Sequence, residues 1–231
     1  MQNTFSNDFI KNLYNTKVDK GNDYLSKWEV LPPCPVKKYH YQWRKVVDFP
    51  RIWTILDFIE WGKKYDILNG EHLGYTYKDP EIEFTNYNKN TLLTHPPHDL
   101  HTLIDVVNKF DFFVFNQTLE HLYNPFLALS NIYNNINDGG YVFTSVPTLN
   151  IPHMTPIHFN GFTPMGLAML FVSCGFEIVE IGQWGNYEYI KSLWKTHKWR
   201  SFKLTDPNAI IKNEKNNVCQ CWVLAKKPKN N

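Results

Sequence analysis

The stretch "DFFVFNQTLEHLYNPFLALSNIYNNINDGGYVFTSVP", residues 111–147, carries the pattern that decides the fold. It begins and ends with short runs rich in aromatic and β-branched residues, which are typical of buried strands. Between these runs, apolar residues recur at mostly helical spacing, at Leu127, Leu129, Ile132 and Ile136. The helix is expected to stop at Asp138-Gly139-Gly140. Strand, helix and strand in this order predict a parallel crossover unit.

The same alternation extends on both sides of this stretch. Further short runs with strand composition lie at residues 65–70, 81–87, 176–182 and 219–227. A second helix is predicted from Thr163-Pro164, a plausible N-cap and first-turn pair, to Gly175. Repeated strand and helix units predict an α/β fold, with a mostly parallel sheet and helices on its faces.

The chain has 231 residues, which suits one domain with a full core. Residues 28–46 are rich in aromatic residues and proline, so they cannot hold a long helix. Residues 51–64, "RIWTILDFIEWGKK", have helical spacing and predict a helix packed on the core. We therefore expect residues 1–62 to form an arm and helix, and residues 63–231 to form the core of a single structural domain.

Composition excludes several classes of partner and compartment. The net charge is +2 with 20% charged residues, so no dense field is present to hold nucleic acid or an anionic membrane. The start is too polar for a signal peptide, and no apolar run approaches the roughly 20 residues of a membrane span. The cysteines show neither metal-ligand spacing nor disulfide density, at Cys34, Cys174, Cys219 and Cys221. These features predict a soluble, cytoplasmic protein.

Polar clusters follow the predicted strands. They lie at residues 69–71, 86–88, 116–121 and 147–158. In an open α/β sheet, ligands bind beyond the carboxyl ends of the strands, where loops and helix N-termini meet. The four clusters therefore predict one ligand site at that edge of the sheet.

Several short motifs stand in a fixed order along the chain, at Phe110-Asp111, Leu119-Glu120-His121-Leu122, Asn124-Pro125, Asp138-Gly139-Gly140 and Ser145-Val146-Pro147. With these motifs, about residues 63–228 resemble a family, the class I S-adenosylmethionine-dependent methyltransferases. The segment 158–186 resembles members that act on sugars and other small hydroxyl compounds. The resemblance implies a Rossmann-like, doubly wound, mostly parallel seven-stranded sheet with helices on both faces. It also implies S-adenosyl-L-methionine as cofactor and a small-molecule or glycan acceptor.

The resemblance assigns the cofactor site to residues after several strands. The family's first glycine-rich motif aligns with Asp66 to His72, although Leu68 and His72 stand where the family has glycine. Asn88 takes the position of the acidic residue that binds the ribose, and an amide can still bond its hydroxyls. The cofactor residues implied are Asp66, Asn69, Gly70, Glu71, Asn88, Asp99, Leu100, Asn116 and Gln117.

Methyl transfer to an alcohol is an in-line displacement that benefits from a general base, and histidine is apt near pH 7. His121 and His158 are the candidate bases, with His153 on the acceptor side. Glu120 or Asp99 can orient a histidine, although Glu120 can equally fix the loop through backbone N–H groups. Trp184 is a candidate to stack on a sugar ring. No Asp, Glu and His cluster indicates a metal.

Two functions from different classes follow. The first is an O-methyltransferase acting on a sugar, glycan or other small molecule. The second is a catalytically degenerate methyltransferase-like binding or scaffold module, favoured by Leu68, His72 and Asn88. Nucleic-acid methylation lacks the expected basic surface. The oligomeric state is left open, with a homo-oligomer as one alternative.

Overall fold

The protein is described by a computed structural model that covers residues 4–19, 51–68, 73–76, 89–93, 95, 98–103, 109–153, 156–198 and 212–229. The helices are α1 (Asn7–Leu13), α2 (Arg51–Lys64), α3 (Pro125–Asn135), α4 (Pro164–Ser173) and α5 (Tyr187–Thr196). The strands are β1 (Leu73–Thr76), β2 (Lys89–Leu92), β3 (Phe110–Val114), β4 (Ile136–Pro147), β5 (Glu177–Trp184) and β6 (Gln220–Lys226). A π-helical turn spans Tyr14–Val18, and 3-10 turns span Leu100–Thr102 and Leu119–His121.

The strands of the described residues form one six-stranded sheet in the order β2-β1-β3-β4-β6-β5. Neighbours from β2 to β4 pair in parallel, whereas β6 runs antiparallel to both β4 and β5. The parallel half places the carboxyl ends of β1, β3 and β4 at one edge, where ligands of α/β folds bind. The predicted α/β class is confirmed, but the prediction of seven strands is not, because the described chain contains six.

Helices cover both faces of the sheet. On one face, α3 and α4 bury Leu129 and Phe171 against strand residues such as Phe113. On the other face, α2 and α5 pack against Phe112 and Trp222. Adjacent residues of β3 point to opposite faces because side chains alternate along a strand. The two apolar layers explain why β3 is almost continuously hydrophobic.

The first predicted strand, residues 65–70, is wrong over residues 65–68, the part of it that the structure describes. Tyr65 and Asp66 form a turn that ends α2, with Asp66 in the left-handed region at φ 54°. The Ile67 N–H donates to the Gly62 carbonyl at 2.9 Å, and Leu68 packs over Gly62. These bonds satisfy groups at the helix end, so the first strand begins later, at Leu73. Residues 81–87, predicted as the second strand, lie outside the described residues, and β2 spans Lys89–Leu92.

The glycine pair after α3 has a different role from the predicted helix stop. The helix ends at Asn135, and β4 begins at Ile136, so Gly139 and Gly140 lie within the strand. Phe110 of β3 pairs with Ile136 of β4, but Phe112 pairs with Tyr141, so β4 contains a β-bulge between these two pairs. Gly139 has φ 84°, a conformation that favours glycine. The two glycines therefore lie in the bulge, where β4 has more residues than the facing part of β3.

A buried lysine caps the carboxyl end of α3. Lys227 Nζ donates to the carbonyls of Tyr133 and Ile136 at 3.1 and 3.0 Å, and the residue is 7% exposed. We expect Lys227→Met to lower the free energy of unfolding by about 2–3 kcal/mol, because charge-assisted bonds are lost and two carbonyls lose their donor. Urea denaturation measures this change. Lys229→Met, at an exposed site two residues along, is the control, and equal effects of both substitutions would contradict the capping role.

Helix α2 forms as predicted and packs on the core through Trp53 and Phe58. The division between residues 1–62 and 63–231 stays a prediction. Within the described ranges, no helix has both the length and the apolar character needed to cross a membrane.

Candidate active site

The segment that leaves β3 makes an abrupt turn at the carboxyl edge of the sheet. Phe115 is fully buried, and Asn116 is 4% exposed. Gln117 adopts φ 50°, and its backbone N–H donates to the Ser145 carbonyl of β4 at 2.7 Å. Its side-chain amide lies 3.3 Å from the Ser145 hydroxyl, and the Thr118 hydroxyl donates to the Asn116 carbonyl at 3.0 Å. These bonds close the turn and direct the next residues away from the strand.

Three predicted histidines meet beyond this turn. The ring centroids of His121 and His153 are 5.2 Å apart, those of His153 and His158 5.4 Å, and those of His121 and His158 6.2 Å. The loop holding His153 and His158 is tied to the β3 exit because the Phe159 N–H donates to the Glu120 carbonyl at 2.7 Å. We call His121, His153 and His158 the histidine cluster. In the part of the chain that the structure describes, no group of three His, Cys, Asp or Glu side chains is placed to hold a metal ion.

The hydrogen bonds of His121 determine which ring nitrogen carries the proton. Nδ1 lies 2.9 Å from the Ile157 carbonyl oxygen, which can only accept, so Nδ1 must donate. In the neutral ring, Nε2 therefore holds a lone pair. The side chain is 18% exposed, and Nε2 lies 3.7 Å from Glu120 Oε1, which is too long for a hydrogen bond. His121 is thus arranged to accept a proton at Nε2.

Burial lowers the pKa of His121, and the neighbouring His153 and His158 lower it further, against the bond to the Ile157 carbonyl. Burial also lowers the pKa of His158, and His153 adds to this effect. His158 Nε2 is buried and has no hydrogen-bond partner among the described residues. Because low-polarity surroundings disfavour the charged ring, both histidines favour the neutral form near pH 7.

Asp99 and Leu100 lie beside the start of α3. Asp99 is linked to this helix start by His101, which was not among the predicted site residues. Asp99 Oδ1 accepts from the backbone N–H of His101 at 2.9 Å and from its Nδ1 at 2.7 Å. His101 Nε2 accepts from the Asn124 N–H at 3.3 Å, and Asn124 caps α3. The hydrogen bond from His101 lowers the pKa of Asp99. The signal was present as "HDLHT", but nothing local indicates that His101 reaches Asn124.

The other predicted cofactor residues do not all gather at this edge. Asp66 lines a separate cleft of about 390 Å³ with Asp111 and Asp138, at the amino ends of β3 and β4. This position contradicts its predicted place beside Asn116 and Gln117, because the turn after α2 precedes β1. Asn69, Gly70, Glu71 and Asn88 lie outside the described residues.

Trp184 is a core residue. It has no exposed surface, stacks on Trp53 with ring centroids 5.1 Å apart, and meets the Tyr189 ring edge-on at 5.2 Å. A ring enclosed in this way offers no face to a sugar, which contradicts its predicted role. The isolated sequence could not show that α2 and α5 both pack on the end of β5.

No family profile matches the sequence, and no curated protein matches it. Among solved structures, the chain is similar to a Galdieria sulphuraria protein assigned as a sarcosine dimethylglycine methyltransferase. The TM-score is 0.50 at 12% identity, covering 77% of this chain and 86% of that chain.

Two further similarities are lower. For the 1,6-didemethyltoxoflavin-N1-methyltransferase of Burkholderia thailandensis, with bound 1,6-didemethyltoxoflavin and S-adenosylhomocysteine, the TM-score is 0.49 at 12% identity, covering 77% and 81% of the two chains. For the cyclase SpnF the TM-score is 0.41 at 14% identity, covering 62% of this chain and 57% of that chain, less than two thirds of its length. At 12% identity, the likeness to the Galdieria protein shows that the two chains share a fold, and the fold alone does not specify an activity.

Proposed function

We propose that the protein is an S-adenosylmethionine-dependent O-methyltransferase that acts on a hydroxyl group of a sugar, glycan or other small molecule. The observation that carries the proposal is His121, a histidine with its Nε2 lone pair available at the carboxyl edge of a methyltransferase fold. A hydroxyl acceptor needs a base, whereas the fold alone does not specify the acceptor.

His121 Nε2 takes the proton of the acceptor hydroxyl. The bond from Nδ1 to the Ile157 carbonyl holds the ring in the required tautomer and orientation. Glu120 Oε1, 3.7 Å away, stabilises the positive charge that forms on the imidazole. His158 is the second candidate base, and His153 contacts the acceptor. The buried residues Phe115 and Leu119 exclude water behind the reacting groups.

The cofactor supplies an electrophilic methyl group bound to sulfur. Two described polar groups fit such a ligand: the Asp99 side chain is 40% exposed, and Gln117 is half-buried at the end of β3. With Leu100 and Asn116 they form the cofactor side of the site. Asn88 lies outside the described residues and directly before β2, so its role at the ribose hydroxyls stays a prediction.

Cofactor binding tests the proposal most directly. Calorimetry should detect binding of S-adenosylmethionine and S-adenosylhomocysteine, and ligand at 100 times its Kd should stabilise the fold by about 2.7 kcal/mol. Incubation with nucleotide sugars and small glycans should then give a product heavier by one methyl group, detected by mass spectrometry. Adenosine, which lacks the amino-acid part, is the control. Absence of binding at millimolar ligand would refute the proposed activity.

A second candidate, the degenerate binding module, is favoured by the segment that follows β1. Residues 77–88, which follow this strand in the sequence, contain no glycine, while Gly70 precedes the strand. Close approach of a cofactor to the backbone ordinarily requires glycine. The module would keep the fold but bind neither S-adenosylmethionine nor S-adenosylhomocysteine, so the same calorimetry separates the two functions.

A cytoplasmic location stays a prediction. Cys174, Cys219 and Cys221 are free thiols, which suits a reducing compartment. The proposed partners are a small-molecule or glycan acceptor and no nucleic acid, with the oligomeric state left open.

A further inference from the structure

A second cavity opens at the carboxyl ends of β4 and β5, and none of the histidine cluster lines it. Its volume is about 560 Å³, within the roughly 300–1,000 Å³ of small-molecule sites. We call it the β5 cavity. Its walls come from the π-helical turn after α1, the residues that leave β4, the first turns of α4 and α5, and the loop before β6.

The walls of the β5 cavity are held in place by specific bonds. Lys17 Nζ donates to the Val179 carbonyl of β5 at 3.0 Å, and Asp19 pairs with Lys215 across the rim. In the segment before β6, the side-chain amide of Asn213 donates to the Gln183 carbonyl of β5 at 3.0 Å. These hydrogen bonds and this ion pair hold the segments that form the walls of the cavity.

The lining favours a neutral ligand with both apolar and polar surfaces. Two of its rings are open to solvent: Tyr14 is 40% exposed and Tyr187 is 53% exposed. The charged side chains on its lining, Asp19 and Lys215, pair with each other, so the described lining presents no unpaired charge to a ligand. Amide groups of Asn216 and Asn217 add neutral hydrogen-bonding capacity.

We propose that the β5 cavity binds one neutral hydroxylated ring of a glycan acceptor, such as a hexose, while the reacting hydroxyl of the same acceptor lies at His121. The tyrosine rings cover its apolar face, because aromatic side chains combine a broad apolar body with a polar tip. The amides bond its hydroxyl groups. The proposal rests on the proposed function, because that function makes the ligand a methyl acceptor. Thr148 and Leu149 of the lining begin the loop that carries His153 and His158, which connects the cavity to the proposed reacting groups.

Ligand binding can be measured without any methyl transfer. Saturation-transfer NMR with methyl glycosides of neutral hexoses should show magnetisation transfer from the protein to the sugar. Tyr187→Ala should raise the Kd for the glycoside at least fivefold. Tyr187→Phe, which keeps the ring, should restore most of the affinity. Trp194→Ala is the matched control, because Trp194 is an exposed aromatic residue of α5 outside the lining. Circular dichroism checks that each variant is folded.

The outcomes separate this proposal from the proposed function. Failure to bind neutral hexosides, equal binding of glucuronate or phenol, or an unchanged Kd in Tyr187→Ala would overturn the β5 cavity as a sugar site. Methylation of a glycan acceptor that is insensitive to Tyr187→Ala would overturn the cavity as a binding site for that acceptor and leave the proposed function standing. Tyrosine-dependent hexoside binding without S-adenosylmethionine binding would support the cavity and refute the methyltransferase activity.

Discussion

Replacing His121 by alanine is expected to lower kcat for methyl transfer by about 100- to 10,000-fold, the range that a positioned general base contributes. The base is lost, while the Gln117 turn that positions the segment keeps its bonds to Ser145. Cofactor Kd should change little, because His121 lies on the acceptor side of the proposed site. Steady-state kinetics with calorimetry separates these two effects.

His197→Asn is the matched control for His121→Ala. His197 is exposed at the end of α5 and has φ 50°, a conformation that asparagine tolerates. His158→Ala tests the second candidate base. Full turnover in both His121→Ala and His158→Ala would show that neither histidine is the base.

The pH profile of the same reaction has a defined sign. The reaction needs neutral His121, so kcat/KM should fall as pH decreases through the pKa of this ring. Because burial and the neighbouring histidines lower the pKa of His121, the midpoint should lie below the ordinary value of about 6.5. A midpoint above that value would contradict His121 as the base in its observed surroundings.

The largest stability loss is expected from Trp184→Ala. Its ring is fully buried between Trp53 and Tyr189, and removing a buried tryptophan costs about 3–5 kcal/mol. In a chain of this size the loss lowers Tm by about 6–20 °C, measured by calorimetry or circular dichroism.

Trp194→Ala is the comparison for this stability measurement, since Trp194 is 43% exposed on α5. It should change Tm by only a few degrees. If Trp184→Ala left Tm unchanged and only raised acceptor KM, Trp184 would be an acceptor residue, as its sequence position suggested, and its place in the core would be wrong.

Local patterns predicted the elements that carry strong and continuous signals. Helix α2 matches its predicted span of residues 51–64, and α4 begins after the predicted N-cap Thr163, which accepts from the Gly166 N–H. Strands β3, β5 and β6 were also recognisable, because each is short and contains β-branched or aromatic residues. Helix α5 was missed, although Asn186 is an N-cap residue whose side chain accepts from the N–H groups of Glu188 and Tyr189.

The failure at residues 65–70 has a physical reason. "YDILNG" has the composition of a strand, but Tyr65 and Ile67 end α2 by donating to the carbonyls of Trp61 and Gly62. Such helix-ending bonds depend on where the helix stops, which composition alone does not specify. The error moved Asp66 from the amino edge of the sheet to the predicted cofactor edge.

By itself, the sequence determined the α/β class and marked the three histidines as candidate site residues, since periodicity and residue type are local properties. Only the tertiary structure decided which side chains meet. It joined His121 to His153 and His158 across a loop, linked Asp99 through His101 to Asn124, and enclosed Trp184 between two helices. These contacts join residues far apart in the chain, so their partners are set by the packing of the sheet and its helices rather than by neighbouring residues.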